Sequence, residues 1–215
     1  MRVLIVGAHG QIGYRLVERL APSRHEVRAM VRDPDQQPAL AAAGATETVV
    51  ADLERDCREA VRGIEAVVFT AGSGPHTGPD KTEAVDREGA KRLIRQAEEA
   101  GVRRFIMVSA MRTDDPAQAP ERLHPYLAAK ADADAQLRAS GMDWTILRPG
   151  RLRDERGRGR VTLGEGLPYG EIPREDVAAL LAALLPSESA YRRTLDATSG
   201  ETAVREAVRR LAGPA

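Results

Sequence analysis

The sequence predicts a doubly wound α/β fold, with one parallel sheet of about six to seven strands covered by helices on both faces. Three observations carry this expectation. Short apolar runs alternate with longer stretches of helical spacing along most of the chain. A glycine-rich turn joins the first such run to the first helical stretch. The 215 residues, 42% of them hydrophobic, suffice for one domain with a sizeable core.

The elements follow in order. "RVLIV" reads as a buried strand, and residues 11–21 place Ile12, Leu16, Val17 and Leu20 on one helical face. Residues 26–31 form a second strand. "PALAAAG" is a short helix stopped by Gly44, and "TETVVA" a third strand. "REAVRG" supplies one or two helical turns, and residues 65–72 a fourth strand running into a Gly- and Pro-rich loop over 71–80. A long helix spans 80–100, closed by Gly101, before a fifth strand over 103–109. A helix carrying Tyr126 runs to about Ser140, with Gly141 as its stop, and "DWTIL" is the sixth strand. Beyond Pro149 the pattern loosens: "GRVTL" is a short strand, "PREDVAALLAALL" a helix with acids in its first turn, "RRTLDAT" a seventh strand and "ETAVREAVRRLAG" a closing helix. A single domain over 1–215 is expected, with 150–192 as a small substrate-side insertion. Its segment 151–160, rich in arginine, reads as a solvated arm crossing above the active site, with an anion clamp as the alternative.

Composition excludes several function classes. Lys plus Arg and Asp plus Glu are 32 each, so there is no basic footprint for nucleic acid. No apolar run is long enough to span a bilayer, and "MRVLIVGAHG" lacks the form of a signal peptide. Cys57 is the only cysteine, which excludes an intrachain disulfide and a paired-cysteine metal site. His25, His76 and His124 have no metal-ligand spacing. The expectation is a cytoplasmic protein acting on a small molecule, with no nucleic-acid or membrane partner and its oligomeric state open.

"VGAHGQIGY" has the context of a dinucleotide fingerprint, a strand followed by glycines opening a helix. Gly7 serves the tight turn, Gly10 the approach of a pyrophosphate, and Gly13 close helix–strand packing. The free amides around Gln11 and Ile12 at the helix start face the phosphates. No Gly-Lys-Ser/Thr follows, so this is not a P-loop. The second strand ends in "VRDPD". Arg32 stands about where an acid would bind the ribose of NAD, and an arginine there pairs with a 2′-phosphate. NADP(H) is favoured; Asp33 keeps NAD(H) open.

Tyr126 precedes Lys130 by four residues, placing both on one helix face, and Lys130 is one of only three lysines. A phenol beside an ammonium is an acid–base pair: the cation favours phenolate and lowers the phenol pKa from about 10. Ser109, at the C-terminal end of the fifth strand, is placed to hydrogen-bond a substrate carbonyl.

The glycine spacing, Ser109, Tyr126-x-x-x-Lys130 and "ILRPG" in one order resemble the short-chain dehydrogenase/reductase superfamily. More narrowly, "YLAAKADADAQLRASGMDWTILRPG", "VSAM" and "IPREDVA" are similar to atypical short bacterial NAD(P)-binding, or NAD-dependent epimerase/dehydratase-like, proteins. The resemblance implies Asp52 and Leu53 near the adenine, Ala71 and Gly72 along the cofactor, and Pro149 and Gly150 near the nicotinamide. It also implies contact of Lys130 with the nicotinamide ribose. His9 stands where small residues are common and would touch a phosphate. Only 65 residues follow Gly150, little for a nucleotide-sugar domain. The implied activity is NADPH-dependent reduction of a small carbonyl-type substrate with Tyr126 as acid. The alternatives are a non-catalytic NADP-binding sensor of the NmrA type and a flavin- or biliverdin-type reductase.

Overall fold

A computed structural model describes residues 1–74 and 78–213, so His76 lies outside the described residues. The first half alternates strand and helix: β1 (Arg2–Val6), α1 (Gln11–Leu20), β2 (Glu26–Val31), α2 (Gln37–Ala42), β3 (Glu47–Val50), α3 (Arg58–Val61) and β4 (Ala66–Phe69). A turn of helix, α4 (Pro79–Lys81), then leads through a π-helical segment, Thr82–Gly89, into α5 (Ala90–Glu99). β5 (Arg104–Val108), α6 (His124–Arg138) and β6 (Asp143–Pro149) complete the regular part. The remainder is β7 (Arg151–Arg153), β8 (Arg160–Gly164), β9 (Glu171–Pro173), α7 (Arg174–Leu184), β10 (Arg193–Ser199), β11 (Thr202–Ala203) and α8 (Val204–Arg209).

The main sheet has nine strands in the order β11-β8-β10-β6-β5-β4-β1-β2-β3. The seven from β3 to β10 are parallel, and β8 and β11 add an antiparallel edge beside β10. The sheet thus exceeds the expected six to seven strands by an edge whose outermost strand is two residues long, too short for periodicity to reveal. β7 and β9 form a separate parallel pair.

Strand side chains alternate between two cores, as a period of two requires. Val3 and Ile5 of β1 face α1, α7 and α8, whereas Leu4 and Val6 face α3, α5 and α6. The strand order reverses between β1 and β4, which pair through Val3↔Ala66 to Val6↔Phe69. In open α/β sheets such a reversal leaves a crevice at the carboxyl ends of the strands, where ligands bind.

One expectation changes. The helix expected over 80–100 is not uniform, because its first half widens into the π-helical Thr82–Gly89; there Asp86 is fully buried and Gly89 lies so close to Leu53 that a Cβ would stand 2.9 Å from the Leu53 Cβ. The arginine-rich arm is exposed over most of its length, and its backbone is anchored at residues 157–159. The Gly157 amide donates to Glu175 at 2.8 Å, and those of Arg158 and Gly159 donate to Asp176 at 3.0 and 2.8 Å. The first-turn acids of α7 therefore bind this backbone.

Candidate functional site

The glycine turn leaves β1 with Gly7 at φ +77°, a conformation that disfavours a side chain. The Gly10 amide donates to the Gly7 carbonyl at 2.9 Å, closing the turn. The three glycines are required for different reasons. A Cβ on Gly7 would lie 2.7 Å from the Ala71 Cα, and one on Gly13 would lie 2.4 Å from the Gly7 oxygen. Both are excluded by the protein's own packing. Gly10 has an ordinary extended backbone, φ −69° and ψ 161°, and its Cβ would meet only the Gly7 oxygen, at 3.1 Å. Its bare backbone instead opens onto a cavity.

That cavity measures about 510 Å³. Gly7, His9 and Gly10 form one wall, Arg32 and Gln36 another, and Asp52 and Leu53 a third. Ala71, Gly72 and Ser73 close it from the end of β4, with Lys81 and Val85 from the next helical segments. Gln11 and Ile12 start α1, which has neither a side-chain cap at Gly10 nor an acid in its first turn, so its first amides have no intrahelical acceptor. Ile12 packs into the core.

Arg32 is exposed at the end of β2 and forms no ion pair with any described residue. Asp33 accepts the Asp35 amide at 3.0 Å, capping the following 3₁₀ turn. Asp52 accepts the Glu54 amide at 3.0 Å, and Glu54 in turn pairs with Lys81 across the cavity rim.

Lys130 and Asp134 occupy the core-facing side of α6 beside Leu127, Ala133 and Leu137. The Lys130 ammonium is buried. It lies 3.2 Å from Asp86 Oδ1, 3.4 Å from the Ala71 carbonyl and 3.5 Å from the Val108 carbonyl, and 5.8 Å from the centroid of the Tyr126 ring. Asp86 also accepts the Ser73 amide at 3.0 Å. One carboxylate thus ties Lys130 to the loop that lines the cavity. Burial pushes the Lys130 pKa down, but Tyr126 and Asp86 outweigh it and hold the ammonium above its usual value. Burial raises the half-buried Tyr126 phenol above its ordinary value. Lys130 acts downward, as expected, but burial wins, with Asp86 and Asp134 adding to the upward shift. The net direction in the chain alone is therefore opposite to the lowering read from the Tyr–Lys spacing.

Ser109 is buried, and its hydroxyl donates to Asp134 at 3.0 Å. The proton expected for a substrate carbonyl is engaged within the protein. Arg148 donates to the same Asp134 oxygen at 3.2 and 3.0 Å and grips Asp114 through both terminal nitrogens. Pro149 ends β6, and Gly150 packs on the start of β9, where a Cβ would lie 2.2 Å from the Gly170 oxygen. Ser109, Tyr126, Lys130, Pro149 and Gly150 lie outside the cavity lining, with Lys130 joined to it through Ala71.

Sequence reasoning missed Asp86, Asp134 and Arg148. Asp134 carried a signal, since it stands four residues after Lys130 on a face otherwise apolar. Asp86 and Arg148 carried none, because their partners are 13 and 14 residues distant or more and only the fold brings them together. Among the described residues no cluster of His, Cys, Asp and Glu could hold a metal ion, and no helix is long and apolar enough to cross a membrane.

Comparison with known proteins agrees with this geometry. The family described as NAD(P)H-binding matches residues 7–188. A Bacillus subtilis protein named an uncharacterized sugar epimerase, YhfK, is 46% identical over 98% of this chain and 100% of its own length. A solved Bacillus halodurans structure, assigned provisionally by its description to the NAD-dependent epimerases/dehydratases, is 43% identical over 98% of this chain and 99% of that one, with a TM-score of 0.94. The oxidoreductase ylbE from Lactococcus lactis is 26% identical over 100% of this chain and 98% of that one, with a TM-score of 0.89. With its parallel sheet, glycine turn and crevice at the strand reversal, the chain belongs to the NAD(P)H-binding family, among Rossmann-like proteins of the epimerase/dehydratase kind.

Proposed function

We propose that the chain is an NADPH-preferring reductase of a small carbonyl-type substrate. The observation that supports this best is the buried Lys130 ammonium, held between the Tyr126 ring and the carbonyl of Ala71 on the cavity wall. A bound nicotinamide cofactor supplies a hydride. In this reading the amides of the glycine turn and of the first turn of α1, around Gln11 and Ile12, bind the pyrophosphate, with His9 beside them. Asp52 and Leu53 flank the adenine, and Ala71 and Gly72 line the path toward the nicotinamide, near Pro149 and Gly150. The Lys130 ammonium hydrogen-bonds the ribose. Tyr126 donates its proton to the carbonyl oxygen as the alkoxide develops, and its raised pKa keeps it protonated at neutral pH, the state an acid needs. Ser109, whose hydroxyl donates a hydrogen bond to Asp134, secures α6 against the end of β5.

The preference for NADPH rests on Arg32, unpaired among the described residues at the cavity wall, and on Asp33, whose carboxylate caps its own turn. Calorimetric titration tests it: NADPH binds more tightly than NADH, and Arg32→Ala weakens NADPH by about 1.5–3 kcal/mol while leaving NADH nearly unchanged. Equal losses for both cofactors would remove the argument. A second reading, flavin-type reduction, is favoured by the engagement of Ser109 with Asp134. An NADPH-oxidation screen over carbonyls, quinones and flavins separates the two, since carbonyl turnover depends on Tyr126 and flavin turnover does not. A sensor oxidises NADPH with none of them.

A further inference from the structure

Arg112 has the most unusual surroundings of any arginine near the strand ends. It lies four residues beyond Val108, the last residue of β5, and takes φ +71°, a left-handed conformation rarely adopted by a long side chain. The loop around it is pinned on both sides. The Met111 amide donates to the Pro149 carbonyl at 3.2 Å, the Thr113 hydroxyl to the Ala110 carbonyl at 3.2 Å, and Asp114 is gripped by Arg148. The fold therefore imposes this strain rather than merely tolerating it, and strained backbone concentrates at functional positions.

The guanidinium of Arg112 stands 3.7 Å from the centroid of the Tyr169 ring. Tyr169 is 48% exposed and immediately precedes Gly170, the residue packed against Gly150. The pair thus bridges the end of β5 and the segment beside the end of β6, the sheet edge where Lys130 meets the Val108 carbonyl. Stacking on the ring fixes the guanidinium plane but uses none of its five N–H donors. Its Nε is buried without an acceptor, and the group forms no ion pair, among the described residues. The adjacent acids are occupied, Asp114 by Arg148 and Asp115 by the Gln118 amide at 2.9 Å. A planar cation with unused donors, held rigidly with no anion among the described residues to meet it, is built to receive a planar anion. One guanidinium balances one negative charge, which fits a carboxylate better than a phosphate dianion.

We propose that Arg112, oriented by Tyr169, binds a carboxylate of the substrate, so that the substrate class is a small carbonyl compound bearing a carboxylate. This rests on the reductase reading given above and narrows it.

Two matched probe pairs test the inference on the full chain. Benzoate against benzamide, titrated calorimetrically with and without NADP⁺, reads the anion site without turnover. 4-Carboxybenzaldehyde against methyl 4-formylbenzoate, with NADPH, reads it in turnover. The wild type is expected to prefer each carboxylate by about ten-fold or more, in Kd and in KM. Arg112→Gln is expected to erase that preference, leaving the Kd for NADPH and the KM for the ester unchanged. Arg112→Lys restores part of it, because an ammonium keeps the charge but not the fork. Arg112→Gly controls for folding: glycine accepts φ +71° without strain, so it holds or raises Tm while losing the preference. A wild type that binds neither benzoate nor benzamide, treats them alike, or keeps its preference in Arg112→Gln overturns the assignment. A phosphate probe, phenyl phosphate, bound more tightly than benzoate would also overturn it as stated. If NADPH is oxidised without a carboxylate preference, this inference falls and the reductase reading stands. If benzoate binding depends on Arg112 but no acceptor is reduced, the reductase reading falls instead.

Discussion

Gly7, Gly10 and Gly13 form one motif but answer to different constraints. Gly7 and Gly13 are held by contacts within the protein, whereas Gly10 has an ordinary backbone conformation and only a 3.1 Å approach to the Gly7 oxygen. Gly13→Ala is therefore expected to lower Tm, with a cost of about 1–3 kcal/mol typical of overpacking. Gly10→Val is expected to keep Tm within a few degrees and to abolish NADPH binding, read by thermal melts and calorimetry on the same samples. A Gly10→Val chain that binds NADPH at wild-type strength would show the turn to be purely structural. At Tyr126 the expected effect is on rate. Tyr126→Phe lowers carbonyl turnover by about 10²–10⁴-fold with little change in cofactor affinity. In the proposed role Tyr126 must be protonated to act, and burial holds its pKa above the usual 10.0. The cofactor-free direction predicts a reductive rate level from neutral to alkaline pH and falling only above about 10. A rate that already falls between pH 6 and 9 would assign the proton to another group.

Helix α6 owes its weak amphipathicity to two charges on its core face, Lys130 and Asp134, each satisfied by a different element. Lys130 pairs with Asp86 on the π-helical segment, and Asp134 holds Ser109 after β5 and Arg148 on β6. Buried pairs are costly to break because the surviving charge is left unpaired. Asp86→Asn is expected to destabilise the fold by about 3–5 kcal/mol in urea melts at pH 7. The pH dependence gives the sign. In the wild type the Lys130 pKa is raised above 10.5, so the pair's contribution is complete below that pH and is lost as pH rises through the folded value. With Asp86 neutral, burial is opposed by less negative charge and the folded pKa drops. If it falls below the unfolded value, the variant gains stability as pH rises toward 10.5, while the wild type does not. Parallel pH profiles for the two proteins would show that the pair does not control this charge.

Across the whole molecule, the cavity beside the glycine turn and the edge formed by β8 and β11 are separate constructions on one sheet. The anchoring of the arginine-rich arm on Glu175 and Asp176 touches none of the cavity residues. Asp176 is 2% exposed and accepts two amides, so Asp176→Ala is expected to cost about 1–3 kcal/mol per unsatisfied group. The Kd for NADPH should stay unchanged in that variant. A shift in both would mean that the arm and the cavity are coupled through α7 and α1, which pack together in one core.

Much of this was legible in the linear chain. Alternating short apolar runs and helical spacing, β1 followed at once by a glycine turn, and Tyr126 four residues from Lys130 are local patterns, and local patterns report backbone conformation and side-chain face. They predicted a mostly parallel sheet of about six to seven strands and the glycine turn after β1, beside which a cavity opens. What local pattern cannot carry is the partner of a buried charge. That Lys130 meets Asp86, that the Ser109 hydroxyl turns to Asp134, and that Arg112 stacks on Tyr169 were decided only when distant segments packed together. The direction of the Tyr126 shift was decided there too, because burial is a property of the packed whole and outweighs the neighbour that sequence spacing could see.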